Sequence, residues 1–167
     1  MKNSTLFFLA FITPVFFLFS SCKETAAGDK VVVVNQDSVK MQIVALEEAF
    51  AKASNARDVD GVAAYYADDA QSLADNEPTW VGKEAIKAGI KRDFDADTTN
   101  STISFQTTGI WADGKYATET GTSTITSADG KTVRTGKYMT LFELRDGKYI
   151  AIRDIWNSDT KSTPEVQ

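Results

Sequence analysis

Histidine is missing from all 167 residues, and that one gap removes a large part of the usual catalytic repertoire. Without imidazole there is no Ser-His-Asp triad, no histidine general base near neutral pH and no His-rich zinc site. Cysteine is almost as scarce: Cys22 stands alone, so no disulfide can form within the chain. Basic residues are outnumbered, 18 Lys and Arg against 23 Asp and Glu, and they form no cluster. Nucleic-acid backbones need such clusters, so nucleic acid is not an expected partner. Glycine-rich phosphate loops and nucleotide fingerprints are also absent, which leaves no expected cofactor. The aspartates of "DFDADTTN" lack the glycine turn and distal glutamate of a calcium loop, and no metal site is expected.

Long apolar runs are equally rare, and the one present lies at the start. "STLFFLAFITPVFFLF" follows a single lysine, contains Pro14 and is shorter than the ~20 residues of a spanning helix. It reads as a signal peptide over residues 1–21. The run stops at "FSSC", where Ser20 and Ser21 precede Cys22. That pattern resembles a bacterial lipoprotein processing site, although Phe19 occupies the place where leucine is usual. The expectation is a lipid anchor on Cys22, a polar tether over 22–36, a domain over 37–160 and a tail over 161–167. The protein would then belong to the bacterial cell envelope, at the outer membrane.

Within the domain, Ile43, Leu46, Phe50 and Ala53 recur at helical spacing, with Glu47, Lys52 and Arg57 placed opposite. Asp37 or Ser38 is the expected cap. A second short helix, capped by Asp58 or Asp60, carries Val62, Tyr65 and Tyr66, the two tyrosines dividing between core and surface. After a short strand and a turn at Pro78, "KEAIKAGIKRDF" spaces Ile86, Ile90 and Phe94 by four, predicting a third helix. From Ser101 onward four Thr-, Ile- and aromatic-rich runs are divided by "ADGK", "ADGK" and "RDGK", strong hairpin signals.

Three helices followed by an antiparallel meander give an α+β fold. A curved sheet with helices on one face forms a cone whose open end is a natural pocket. Along "KYATETGTSTITS", a row of threonines alternates with Ala117, Glu119, Gly121 and Ser123. A threonine row suits a solvated or subunit-facing surface, which turns Glu119 inward.

The stretches "ALEEAFAKASNARDVDGVAAYYADDA", "WVGKEAI" and "GKYMTLFELRDGKYIAIRDIWNSD" resemble the nuclear transport factor 2-like superfamily, in its SnoaL-like and ketosteroid-isomerase-like branch. The resemblance spans Asp37 to Asp159 and implies a cystatin-like cone, with dimerisation through the outer face of the sheet. It implies little about reaction, because one cone hosts isomerases, dehydratases, cyclases and non-enzymes. Ketosteroid isomerases use an aspartate base and an oxyanion hole of tyrosine and protonated aspartate. The matching positions here are Ala74 for the base, with Asp75 one place on, and Phe50 and Thr140 for the hole. None of the three carries the required group, so that reaction is not expected. Dehydratase chemistry that leans on histidine is excluded as well.

The same matching turns Ile152, Asp154 and Trp156 towards the pocket, and alternation on the preceding strand groups Tyr138, Thr140 and Phe142. With Glu119 this supplies two carboxylates that would repel in a dry cavity, raising at least one pKa. Asp154 and Glu119 are therefore the candidate catalytic groups of an isomerase, cyclase or dehydratase. Phe50, Trp80 at the cone mouth, Trp111, Tyr138, Thr140, Phe142, Ile152 and Trp156 are the candidate ligand contacts. A purely structural alternative pairs Asp154 with Arg134 or Arg153 and leaves Glu119 facing water. The leading expectation is a cone that binds a small, partly apolar molecule.

Overall fold

The computed structural model describes residues 34–160. The expected leader, Cys22, most of the tether and the tail lie outside the described residues. Helix α1 spans Gln36–Asn55 and is capped two or three residues earlier than its sequence suggested: the Asn35 side chain accepts from the Ser38 amide at 3.1 Å. Asp37 and Ser38 thus fall inside the first turn, where Asp37 favours the positive helix end. Val39 and Ile43 bury one face, and Leu46, Phe50 and Ala53 pack against the same core. Arg57 takes a positive φ of 55° to leave the helix. Asp58 then caps α2, Val59–Ala63, by accepting from the Gly61 amide at 2.9 Å.

That second helix is shorter than its apolar pattern predicts. Tyr65 and Tyr66 are not on it, because Tyr66 already pairs with Ala151 as the first residue of strand β1, Tyr66–Leu73. Pairing with a distant strand overrides the local helical spacing. Two-residue β2, Trp80–Val81, and helix α3, Lys83–Ala96, follow, with Ile86 and Ile90 buried as expected. Strands β3 (Thr102–Ala112), β4 (Tyr116–Thr126), β5 (Thr132–Arg145) and β6 (Lys148–Ser158) form the meander. Its turns obey their sequence: Asp146 and Gly147 both have positive φ, the geometry a two-residue hairpin needs.

The sheet order is β2-β1-β6-β5-β4-β3, antiparallel throughout except where β1 runs parallel to β6. Four register shifts curve it: Thr108 is extra on β3, Val133 on β5 and Ile152 on β6, and β1 slips between Tyr66 and Gln71. Bulges of this kind bend strands and raise local twist. The helices cover the concave side. At the closed end, fully buried Phe142 lies between Ala117 and Ala151 on the flanking strands and meets Tyr65 edge-on, ring centroids 5.5 Å apart. One large residue between two alanines fills that layer.

Three expected ligand contacts are corrected here. Phe142 is core, because its ring plugs the cone's narrow end. Ile152 is the bulged residue of β6: Leu141 pairs with Arg153 while Phe142 pairs with Ala151, so simple alternation fails at Ile152. Trp111 is 60% exposed, since it pairs with Thr118 on the outer, threonine-bearing face.

Candidate functional site

A hollow of about 540 Å³ opens between the helices and the concave sheet. Its size falls in the range of small-molecule sites, roughly 300–1,000 Å³. Phe50 from α1 anchors an aromatic wall, 4.8 Å from Tyr65 and 5.6 Å from Phe105 by ring centroids, and Phe105 meets Tyr138 at 5.5 Å. Trp80 and Trp156 complete the aromatic lining. Trp80 lies against α3 at a residue without a side chain: a Cβ on Gly89 would stand 2.7 Å from the indole.

Acids occupy the inner end. Asp154 lines the hollow and is 9% exposed; its Oδ2 accepts from Tyr66 Oη at 3.1 Å, and Ser72 is its cross-strand neighbour. Burial pushes the Asp154 carboxyl up to about 6, against the lowering pull of hydrogen bonds from Ser72 and Tyr66. Its Oδ1 has no hydrogen-bond partner. Neither arginine of the structural alternative reaches it: Arg153 turns back to the Ile152 carbonyl, and Arg134 is exposed at the mouth.

Glu119 faces inward, as the threonine row indicated, and is fully buried beside the lining. Its Oε1 accepts from Thr107 Oγ1 at 2.6 Å and Tyr138 Oη at 3.1 Å, while Oε2 has no hydrogen-bond partner. Gly121 makes the second bond possible, because a Cβ there would fall 2.3 Å from the Tyr138 phenol. That ring occupies the space left over β4.

The residue that sequence reasoning missed is Glu47. Expected on the solvent side of α1, it is buried and lines the hollow. Tyr65 Oη donates to Glu47 Oε2 at 2.9 Å, and Thr140 Oγ1 lies 3.5 Å from the same phenol. Both tyrosines after α2 are therefore buried, each hydrogen-bonded to a different acid, rather than split between core and surface. Burial, then the neighbouring Glu119 carboxyl, pushes Glu47 up to about 8. Burial raises Glu119 too, opposed by hydrogen bonds from Thr107, Tyr138 and Glu47. Glu47 therefore keeps its proton at neutral pH, beside the Glu119 carboxyl. A signal was present: Glu47 continues the Val39–Ile43 spacing of four, a carboxyl set into a buried stripe.

The ketosteroid-isomerase positions lack that enzyme's groups in three dimensions as well. Phe50 lines the hollow without a donor, Ala74 is buried away from it, and Asp75 is taken by the Ser158 amide at 3.0 Å. Thr140 lines the hollow but carries a hydroxyl where that enzyme has a carboxyl.

The model of the family described as "SnoaL-like domain" matches residues 47–152. The chain belongs to the SnoaL-like domain family. Among solved structures, this SnoaL-like domain is similar to a cystatin-like protein of unknown function from Nostoc punctiforme, with TM-score 0.68 and 18% identity over 73% of this chain and 92% of that one. It is similar to a ketosteroid isomerase-like protein from Erwinia carotovora atroseptica, with TM-score 0.61 and 19% identity over 72% and 96%. A nuclear-transport-factor-2-like protein of cystatin-like fold from Novosphingobium aromaticivorans gives TM-score 0.64 and 18% identity over 74% and 83%. These likenesses establish the cystatin-like α+β fold and stop there. No curated protein matches the chain.

Proposed function

We propose that this SnoaL-like domain binds a small, partly apolar molecule inside its cone, and that the chain is a bacterial envelope lipoprotein anchored through Cys22. The observation that carries the binding reading is the aromatic hollow with a few convergent polar groups at its inner end, Asp154, Glu47 and Thr140. Organic extraction of the purified protein followed by mass spectrometry tests it. A stoichiometric small molecule recovered from wild type, and lost when Tyr138→Trp fills the hollow, supports the reading. Recovery of nothing, together with no binding across an aromatic ligand panel, defeats it. The anchor is tested by metabolic labelling with an alkynyl fatty acid, which should mark wild type and not Cys22→Ala.

A second reading is cofactor-independent proton transfer, as an isomerase, cyclase or dehydratase would need. It is favoured by Asp154, whose carboxyl sits near 6 with one oxygen free, close to the ideal for a base at neutral pH. Turnover of enones or polyketide-like compounds that disappears in Asp154→Asn is the expected result. Turnover retained in both that variant and Glu119→Gln rules it out.

The outer face supports a homodimer. Leu73, Ile155 and Met139 lie side by side on β1, β6 and β5, and each is exposed. A row of apolar side chains on a solvated face favours burial against a second copy.

A further inference from the structure

We infer that the molecule this hollow takes is an organic cation: a protonated amine carried on an apolar body. The inference rests on the small-molecule reading above and names its chemical class.

Two buried acids, Glu47 and Asp154, line one space with Glu119 buried beside it, and among the described residues no buried base accompanies them. The only cationic residues lining the hollow, among the described residues, are Arg57 and Arg134. Arg57 is committed to the Phe94 carbonyl at 2.6 Å and the Asp97 carboxylate at 2.7 Å. Arg134 stands in solvent at the rim and makes no ion pair with the floor. The rim acids Asp93 and Asp97 are likewise paired, with Arg92 and Arg57. Near neutral pH Glu47, pushed up to about 8, keeps its proton, while Asp154, at about 6, carries negative charge.

Negative charge in an apolar enclosure is costly without a partner. Asp154 lines the hollow, is nine-tenths buried and has one oxygen, Oδ1, without a hydrogen bond, so it is the lining carboxylate left to receive one. An ammonium group there would gain a charge-assisted hydrogen bond. The wall around it, Phe50, Tyr66, Trp156 and Tyr138, offers ring surfaces to the cation and to its apolar body. A metal ion fits less well: among the described residues no three acids converge closely enough to hold one. A carboxylate or phosphate ligand would meet like charge.

Asp154 is faced by Tyr66 and Ser72 of β1 and Thr140 of β5, and its charge acts on Glu47 of α1. None of these is cationic, so protonating Asp154 itself is what would weaken amine binding at low pH.

The test is calorimetric titration of the full chain in a non-ionic detergent with 2-phenylethylamine, 2-phenylethanol and 3-phenylpropionate. The amine should bind about tenfold tighter than the alcohol at pH 7.5, the value of one charge-assisted hydrogen bond, and the acid weakest. That preference should shrink about tenfold at pH 5 and in Asp154→Asn, whose folding a thermal melt verifies. If the alcohol binds wild type as tightly as the amine, the cation inference fails while the small-molecule reading stands. If none of the three binds at millimolar concentration, both fail. An undiminished preference in Asp154→Asn overturns the assignment of the amine to that carboxylate.

Discussion

Glu47 and Glu119 approach each other in the cone from opposite layers, one from helix α1 and the other from strand β4, and the Glu119 carboxyl adds to the burial that raises Glu47. Each also has its own phenol: Tyr65 donates to Glu47 and Tyr138 to Glu119. This is a polar network inside an aromatic core, and its protonation couples directly to folding.

The pH dependence of stability follows from that pair. Glu47 has an ordinary value of 4.5 and is pushed up to about 8, so the folded state binds the proton more tightly than the unfolded chain. Its contribution is fully present below about pH 4.5 and is lost as pH rises through about 8. Thermal melts should show stability falling across that window, by on the order of a few kcal/mol. Glu47→Gln, which keeps the neutral shape, should flatten the slope and melt higher than wild type at pH 9. An unchanged slope would show that Glu47 ionises in the fold without cost.

Gly121→Ala should disturb the site from behind. The new methyl would collide with the Tyr138 ring, 2.3 Å from its Cβ, and force the phenol away from Glu119. Overpacking of this kind costs roughly 1–3 kcal/mol. Tyr138→Phe removes only the hydrogen bond and should cost about 1 kcal/mol. Urea denaturation of the two variants separates the terms: equal losses would mean that the ring's position depends on the hydrogen bond and not on the missing side chain.

Phe142→Ala should cost about 3–5 kcal/mol, because Ala117 and Ala151 cannot grow into the space the ring leaves. Trp111→Ala should change stability by less than about 0.5 kcal/mol, its indole lying on the solvated face. Equilibrium unfolding measures both. A large loss at Trp111 would place that indole in an interface.

For the proposed dimer, Met139→Lys and Ile155→Lys put charge into the exposed apolar row, at residues 46% and 49% exposed. Light scattering at micromolar concentration should report a dimer for residues 34–160 and a monomer for each variant. A monomeric wild type removes the dimer proposal.

How far this molecule could be read without coordinates depended on the range of the interactions involved. Four strands, three hairpins and helix α3 follow from periodicity and Asp-Gly turns, which act over a few residues. The inward turn of Glu119 followed from the threonine row on the same strand. The fate of Tyr66 did not, because its partner Ala151 lies 85 positions away and only that pairing ends the helix early. Nor did Ile152, since one bulged residue reverses the faces of a strand and leaves no mark in composition.

Residue type and spacing by themselves determined the layers, the order of the elements, the absence of imidazole chemistry and the presence of acids on pocket-facing strands. Tertiary structure alone decided which acids meet. A helix presents Glu47 and a strand 72 residues later presents Glu119, and nothing local to either reveals the other. The raised pKa of Glu47 is a product of proximity in a low-dielectric space, which exists only once helix and sheet have closed on each other.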